Sequence, residues 1–278
     1  MTTLIIFKNI TMTIKKKLII KILYPFFLLL FVLGIQVKLE AQAPSTAITV
    51  YQYRHVPDDK IDEFVKRETT YWSKVAQKAA EKNQMTFWAL LEKVGGYDLP
   101  NSSNYLFINT FPNIDSTGDM WSSAAAVAGV TMDKMETNSM STTTSQIFLH
   151  DEGWAQASFA KPDKDFNYVV MNYHNSSNPG NFIATEKKYW MPFIQAAMDK
   201  KQTPQLGWGN AVVLSPSGDN IKFNTVSYDL FPTLGSALMP AWDPKIEFPA
   251  TGLGMLENIR VNRTGTVVYR VVKVVSKN

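Results

Sequence analysis

Two histidines and two glutamates are spaced where acid–base chemistry could be built. His55 ends an aromatic, β-branched stretch, and Glu68 follows inside a helical apolar stripe. His174 and Glu186 repeat the arrangement 119 and 118 residues later. The first stripe runs Ile61, Phe64, Val65, Trp72, Val75, Ala76, Ala79, and its steps of three and four include position 68. The second runs Phe182, Ile183, Tyr189, Trp190, Phe193, Ala197, and includes position 186. A carboxylate in such a stripe requires a partner, and burial raises its pKa. The nearest candidates are the repeat-matched histidines. Strand alternation places Tyr51, Tyr53 and His55 on one face, and Val170, Asn172 and His174 on another. If the helix packs over that face in each case, His55 meets Glu68 and His174 meets Glu186. A His–Glu pair beside an apolar wall can act as a general base with an orienting carboxylate.

Aromatic side chains complete a candidate ligand pocket between the sheet and the first helix of each half. Tyr71, Trp88, Tyr189 and Trp208 would wall it, with Tyr53 on the first strand. Asn109, Asn172 and Asp229 would add polar contacts. The competing reading is structural: each Glu bonds a core hydroxyl or strand backbone, each His caps a strand, and each Tyr-Trp pair is packing. Other chemistries find no support. There is no Walker loop, no Gly-x-Gly-x-x-Gly and no Gly-x-Ser-x-Gly elbow. The three histidines lack metal-ligand spacing, and no metal or cofactor is expected. The absence of cysteine excludes disulfides, thiolate metal sites and thiol nucleophiles.

The elements that must position these residues come in duplicate. Trp72 and Trp190, each preceded by Tyr, are 118 apart; Trp88 and Trp208 are 120 apart, and Trp121 and Trp242 are 121 apart. Phe111-Pro112 recurs at Phe231-Pro232, again after 120 residues. Ordered landmarks at one offset indicate an internal repeat. In the first copy, strands are expected over 47–55, 86–94, 105–111 and 145–150, with a long helix over 61–82 and a second helical region over 115–140. In the second, strands are expected over 168–174, 206–214, 221–231 and 266–275. Its helices are expected over 179–201, kinked at Pro192, and over 233–262, broken by prolines. Residues 151–165 read as a linker. The order in each copy is β-α-β-β-α-β. The predicted class is therefore α+β, as two tandem ferredoxin-like units whose antiparallel sheets pair into a pseudo-dimeric barrel.

This pattern resembles the dimeric α+β barrel superfamily, which includes antibiotic-biosynthesis-type monooxygenases, EthD-like and NIPSNAP-like proteins. The resemblance spans residues 47–275 and rests on topology and the repeat. It implies an architecture, and it implies a cofactor-independent monooxygenase or isomerase as one possible activity, beside a small-molecule binder or a structural protein with a filled core.

Residues 1–43 form a targeting segment. Lys15, Lys16 and Lys17 precede an apolar run from Ile22 to Ile35, and Ala41-Gln42-Ala43 fits a cleavage site. The run is short of the roughly 20 apolar residues of a membrane span. The expected products are an exported chain cleaved after Ala43, a first unit over 44–155 and a second over 156–278. Removing residues 1–43 takes away six of the 28 basic residues and one of the 24 acidic ones, so the formal charge falls from +4 to −1. No nucleic-acid partner is expected of such a surface, and no membrane association after cleavage. The expected partner is a small molecule, bound by a monomer with an internal pseudo-dimer or by a homodimer.

Overall fold

A computed structural model describes residues 46–95, 102–116, 118–218 and 221–277. The expected targeting segment and the expected cleavage site after Ala43 lie outside the described residues. The strands are β1 (Ile48–His55), β2 (Phe87–Gly95), β3 (Tyr105–Phe111), β4 (Thr142–Gln156), β5 (Tyr168–Ser176), β6 (Gly207–Ser215), β7 (Thr225–Phe231) and β8 (Arg260–Ser276). They close into a barrel in the order β1-β3-β2-β8-β5-β7-β6-β4, and every neighbouring pair is antiparallel. Closure leaves no sheet edge exposed.

The long strands β4 and β8 join the halves. β4 pairs with β1 on one side and β6 on the other, and β8 pairs with β5 and β2. Residues 151–156, expected in a linker, are therefore the second half of β4. The sequence Asp-Glu-Gly at 151–153 breaks the alternation there, and the structure shows a register shift between Asp151 and Gly153. A β-bulge carries the strand through residues that look like a turn.

Register in the two halves is matched at an offset of 120. Val50 lies opposite Asn109, and Val170 opposite Asp229. Trp88 pairs with Asn109 and Val275; Trp208 pairs with Asp229 and Ala155. Alternation along each strand then sorts the side chains. Tyr51, Leu91, Leu106, Leu149, Met171, Tyr173 and Tyr269 fill the barrel interior. Val50, Trp88, Leu90 and Phe107 face outward under the helices of the first half, and Trp208 does so in the second.

The helix over each half is interrupted in the same way. The first runs Ile61–Arg67 and Ser73–Glu81, joined by a π-helical turn at Glu68–Trp72. The second runs Pro179–Thr185 and Met191–Asp199, joined by a π turn at Glu186–Trp190. The recurring Glu-x-x-Tyr-Trp is thus a π turn both times, a wide turn that is rare and often found at functional sites. Pro192 follows the second π turn, but Lys74 stands two residues after Trp72 in the first. Proline is therefore not what produces the turn. The second helix starts on Asn178, whose side chain accepts from the Asn181 N–H at 3.0 Å, with Pro179 in the first turn. The proline-broken region 233–262 forms two helices, Leu234–Leu238 and Ala250–Ile259. Gly252 lets the latter lie directly on the π turn, since a Cβ there would stand 2.4 Å from the Tyr189 Cβ. No described helix is long and apolar enough to cross a membrane.

Candidate functional site

Both stripe glutamates are buried, with 4% and 5% of their surface exposed, and both have found partners. Glu68 accepts from the Thr137 hydroxyl at 2.7 Å, within the field of Arg54. Glu186 accepts from the Asn210 side-chain amide at 2.8 Å and bonds the Ser227 hydroxyl, with Asp229 and Arg260 nearby. Burial dominates in both and pushes each carboxyl up to about 7. The bonds and neighbouring cations offset only part of that rise.

The histidines divide. His174 lies on the helix-facing side of β5, and its Nε2 is 3.1 Å from the Ser227 Oγ. Ser227 therefore stands between His174 and Glu186 and bonds both. The expected pairing of His174 with Glu186 is made through this hydroxyl. His174 also packs against the Phe182 ring, with centroids 5.1 Å apart. His55 does not join Glu68. Its Nδ1 lies 2.8 Å from the Ser102 carbonyl, at the end of the barrel. Tyr51 and Tyr53, on the same side of β1, point into the barrel, while Val50 faces the helix. The physical reason is strand parity. At the register offset of 120, His174 corresponds to Arg54, and an offset of 119 turns the matched residue to the opposite face. Arg54 is thus the first-half residue that faces Glu68, and its guanidinium lies 5.1 Å from the Phe107 ring centroid.

The remaining predicted residues scatter. Trp88 and Trp208 are buried in the helix–sheet layers and pack as core. Tyr71 packs against the first-half core, and Tyr189 lies under Gly252. Asn109 lies across from Val50 and Trp88 on the outer face. Asn172 and Asp229 come together at 2.9 Å, and Gln205 donates to Asp229 at 2.8 Å. Tyr53 points inward, its hydroxyl 3.1 Å from that of Tyr173.

The halves differ most under the helix. Leu90 pairs with Phe107 in the first half, and at the same register Asn210 pairs with Ser227 in the second. Gln205 stands where the first half has Met85. The Leu90–Phe107 contact of one half is thus polar in the other, where one hydrogen-bonded group joins Glu186, Asn210, Ser227 and His174 and a second, next to it, joins Asp229, Asn172 and Gln205. Asn210, Ser227 and Gln205 were missed in the sequence, although aligning the strands at 120 sets each beside an apolar counterpart. A groove of about 460 Å³ runs beside this network, lined by Glu152, Gly180, Ile183, Ala184, Lys187 and Val212 among others. Lys187 and Glu152 bridge it at 3.1 Å. Gly153 lets β4 pass close over the network, because a Cβ there would stand 2.8 Å from the Asn210 Oδ1. Among the described residues, no three His, Asp or Glu side chains converge as a metal site would require.

No protein-family model matches the sequence, and no curated protein matches it. Solved structures do match the fold. A candidate monooxygenase from Lactobacillus acidophilus NCFM superposes with a TM-score of 0.56 at 10% identity, covering 84% of this chain and 97% of that one. A candidate monooxygenase from Fusobacterium nucleatum gives 0.52 at 10% identity, covering 84% and 94%. An anthrone oxidase-like protein gives 0.51 at 12% identity, covering 84% and 93%. At such identities the likeness is one of fold. The chain shares the mixed α+β fold of these structures, with its eight-stranded barrel closed within one polypeptide.

Proposed function

We propose that this protein binds a small, largely apolar or aromatic molecule in its second half, between helix 179–199 and the outer face of β5, β7 and β6, and that Glu186 exchanges a proton with it. One observation carries the reading: the helix-facing positions held by Leu90 and Phe107 in the first half are Asn210 and Ser227 in the second, arranged around a buried carboxyl. A polar network under a helix costs desolvation that Leu and Phe would avoid. Both halves bury a glutamate, but only the second surrounds it with Asn210 and Ser227, which speaks for a task other than packing. A carboxyl held near 7 is suited to giving or taking a proton at neutral pH.

An enzymatic form of this reading is favoured by the Glu186–Ser227–His174 chain. Cofactor-independent oxygenation and isomerisation both begin with loss of a proton from an activated C–H or O–H. Glu186 would accept that proton, and Ser227 and His174 would hold the carboxyl in place. The described monooxygenase and oxidase neighbours support this reaction class through fold alone. We further propose that the matched registers reflect a tandem duplication of one ferredoxin-like unit, with the chain exported and cut after Ala43 and one copy completing its own barrel. N-terminal sequencing of the exported protein tests the cleavage, and sedimentation tests the monomer.

The binding claim is tested with an aromatic fragment library, read by Trp fluorescence and by turnover. Ligands whose effect is lost in Glu186→Gln support the site. A library with no effect on either readout overturns it.

A further inference from the structure

The barrel has an occupied interior and an open mouth. At the end where β1, β2, β5 and β6 finish, a cavity of about 490 Å³ opens between the strands. It lies inside the strand ring, on the opposite side of the sheet from the Glu186 network. Its floor is a row of phenols. The Tyr53 and Tyr173 hydroxyls are 3.1 Å apart, and Tyr173 also bonds Tyr269. All three line the cavity. Burial drives each phenol well above its ordinary pKa, so the row is neutral. Three hydroxyls carry three protons, and the two bonds within the row use two of them. One O–H of the row therefore remains for a further acceptor.

The walls mix apolar and polar groups. Ile147, Val213, Ile221, Phe223 and Val267 are apolar. Phe223 packs against Tyr173 with centroids 4.7 Å apart and the rings tilted by 54°. Ser103, Thr144 and Ser145 add hydroxyls to the lining, with Lys93, whose ammonium donates to the Ser102 hydroxyl at 3.1 Å. Lys222 is the second charged residue of the lining, and among the described residues no Asp or Glu lines it. A filled structural barrel would require none of this. Aromatic and aliphatic surface beside hydroxyls, a spare phenolic donor and, among the described residues, positive charge without negative describe a receptor for a flat anion.

We propose that the barrel mouth is a second binding site, separate from the one beside Glu186, and that it takes an aromatic molecule carrying a carboxylate. The ring lies against Phe223, Val213 and Val267. The carboxylate accepts from the tyrosine row and is attracted by Lys93 and Lys222.

Calorimetric titration of the full chain with naphthoate tests this, with naphthalenemethanol as the neutral counterpart. Naphthoate binds and the alcohol binds at least several-fold more weakly. Tyr53→Phe keeps the ring and removes the hydroxyl at the end of the row; together with Lys93→Met it tests both recognition elements. Each weakens naphthoate roughly tenfold, as loss of one hydrogen bond to a charged group should. Circular dichroism and the unfolding midpoint confirm that each variant is folded. Glu186→Gln leaves naphthoate binding unchanged, which separates this site from the one proposed above. No binding of naphthoate to the wild type, equal binding of the alcohol, or full affinity in both Tyr53→Phe and Lys93→Met overturns the proposal. Loss of naphthoate binding in Glu186→Gln with retention in the mouth variants assigns it to the other site and overturns the proposal as well.

Discussion

The two buried glutamates make the stability of the fold depend on pH in an unusual direction. Both carboxyls rise from 4.5 to about 7 on folding, because the helix and sheet exclude water from them. The folded state therefore holds their protons more tightly than the unfolded state does. Wherever the native form binds more protons, stability falls as pH rises. The window opens near the unfolded value and closes just above 7. One pKa unit corresponds to about 1.4 kcal/mol, so each glutamate removes about 2 to 3 kcal/mol between pH 5 and pH 8. Against a typical total of about 5 to 15 kcal/mol this is a large fraction. Urea unfolding at pH 5, 6, 7 and 8 measures it. The wild type should be most stable near pH 5 and weaken steadily to pH 8. Glu68→Gln and Glu186→Gln keep an acceptor oxygen for Thr137 and Asn210, respectively, and cannot ionise. Each should remove about half of the slope and stabilise the protein at pH 8, and the double variant should be nearly flat over this range. A wild type whose stability is constant or rises from pH 5 to 8, or a double variant that keeps the slope, would refute the reasoning.

Other consequences concern packing and the network. Gly252→Ala places a methyl 2.4 Å from the Tyr189 Cβ and should cost about 1 to 3 kcal/mol. Gly254→Ala, in the same helix with open space around it, should instead stabilise by up to about 1 kcal/mol; denaturant midpoints of the pair check both. Leu149→Ala, a fully buried change in the barrel interior, should cost about 2 to 5 kcal/mol by the same assay. Asn210→Leu restores the first-half residue type and removes a donor from Glu186. It should push that carboxyl further above 7, read by carbon-detected NMR titration.

Much of this fold could be read from the chain because its landmarks are local. β3 is expected over its observed bounds, since Tyr105–Phe111 is rich in β-forming residues and Pro112 stops it. β8 extends beyond its Val-rich centre to Arg260, and β4 runs through Asp151 and Gly153. The β8 extension pairs with β5 and the β4 extension with β6, in each case a long-range cause that no local pattern carries. The glutamates were visible because a charge in an apolar stripe is a local contradiction. Their partners were not, because Thr137, Asn210 and Ser227 arrive from distant elements. The pairing of His55 with Glu68 failed for a sharper reason. Matching identical residues at 119 ignored parity, and one residue of slip exchanged the helix face of the strand for the barrel interior. The same parity places Tyr53 beside Tyr173, where the sequence suggested a helix-side contact.

The central claim is that the polar second half is a ligand site built around Glu186. Chemical-shift mapping of an aromatic fragment series on the wild type and on Glu186→Gln tests it most directly. The predicted result is a set of shifts at the Asn210 side-chain amide, the Trp208 indole and the backbone of residues 183–187, lost in Glu186→Gln. Shifts confined to the barrel mouth, or shifts at residues 183–210 that persist unchanged in the variant, would contradict it.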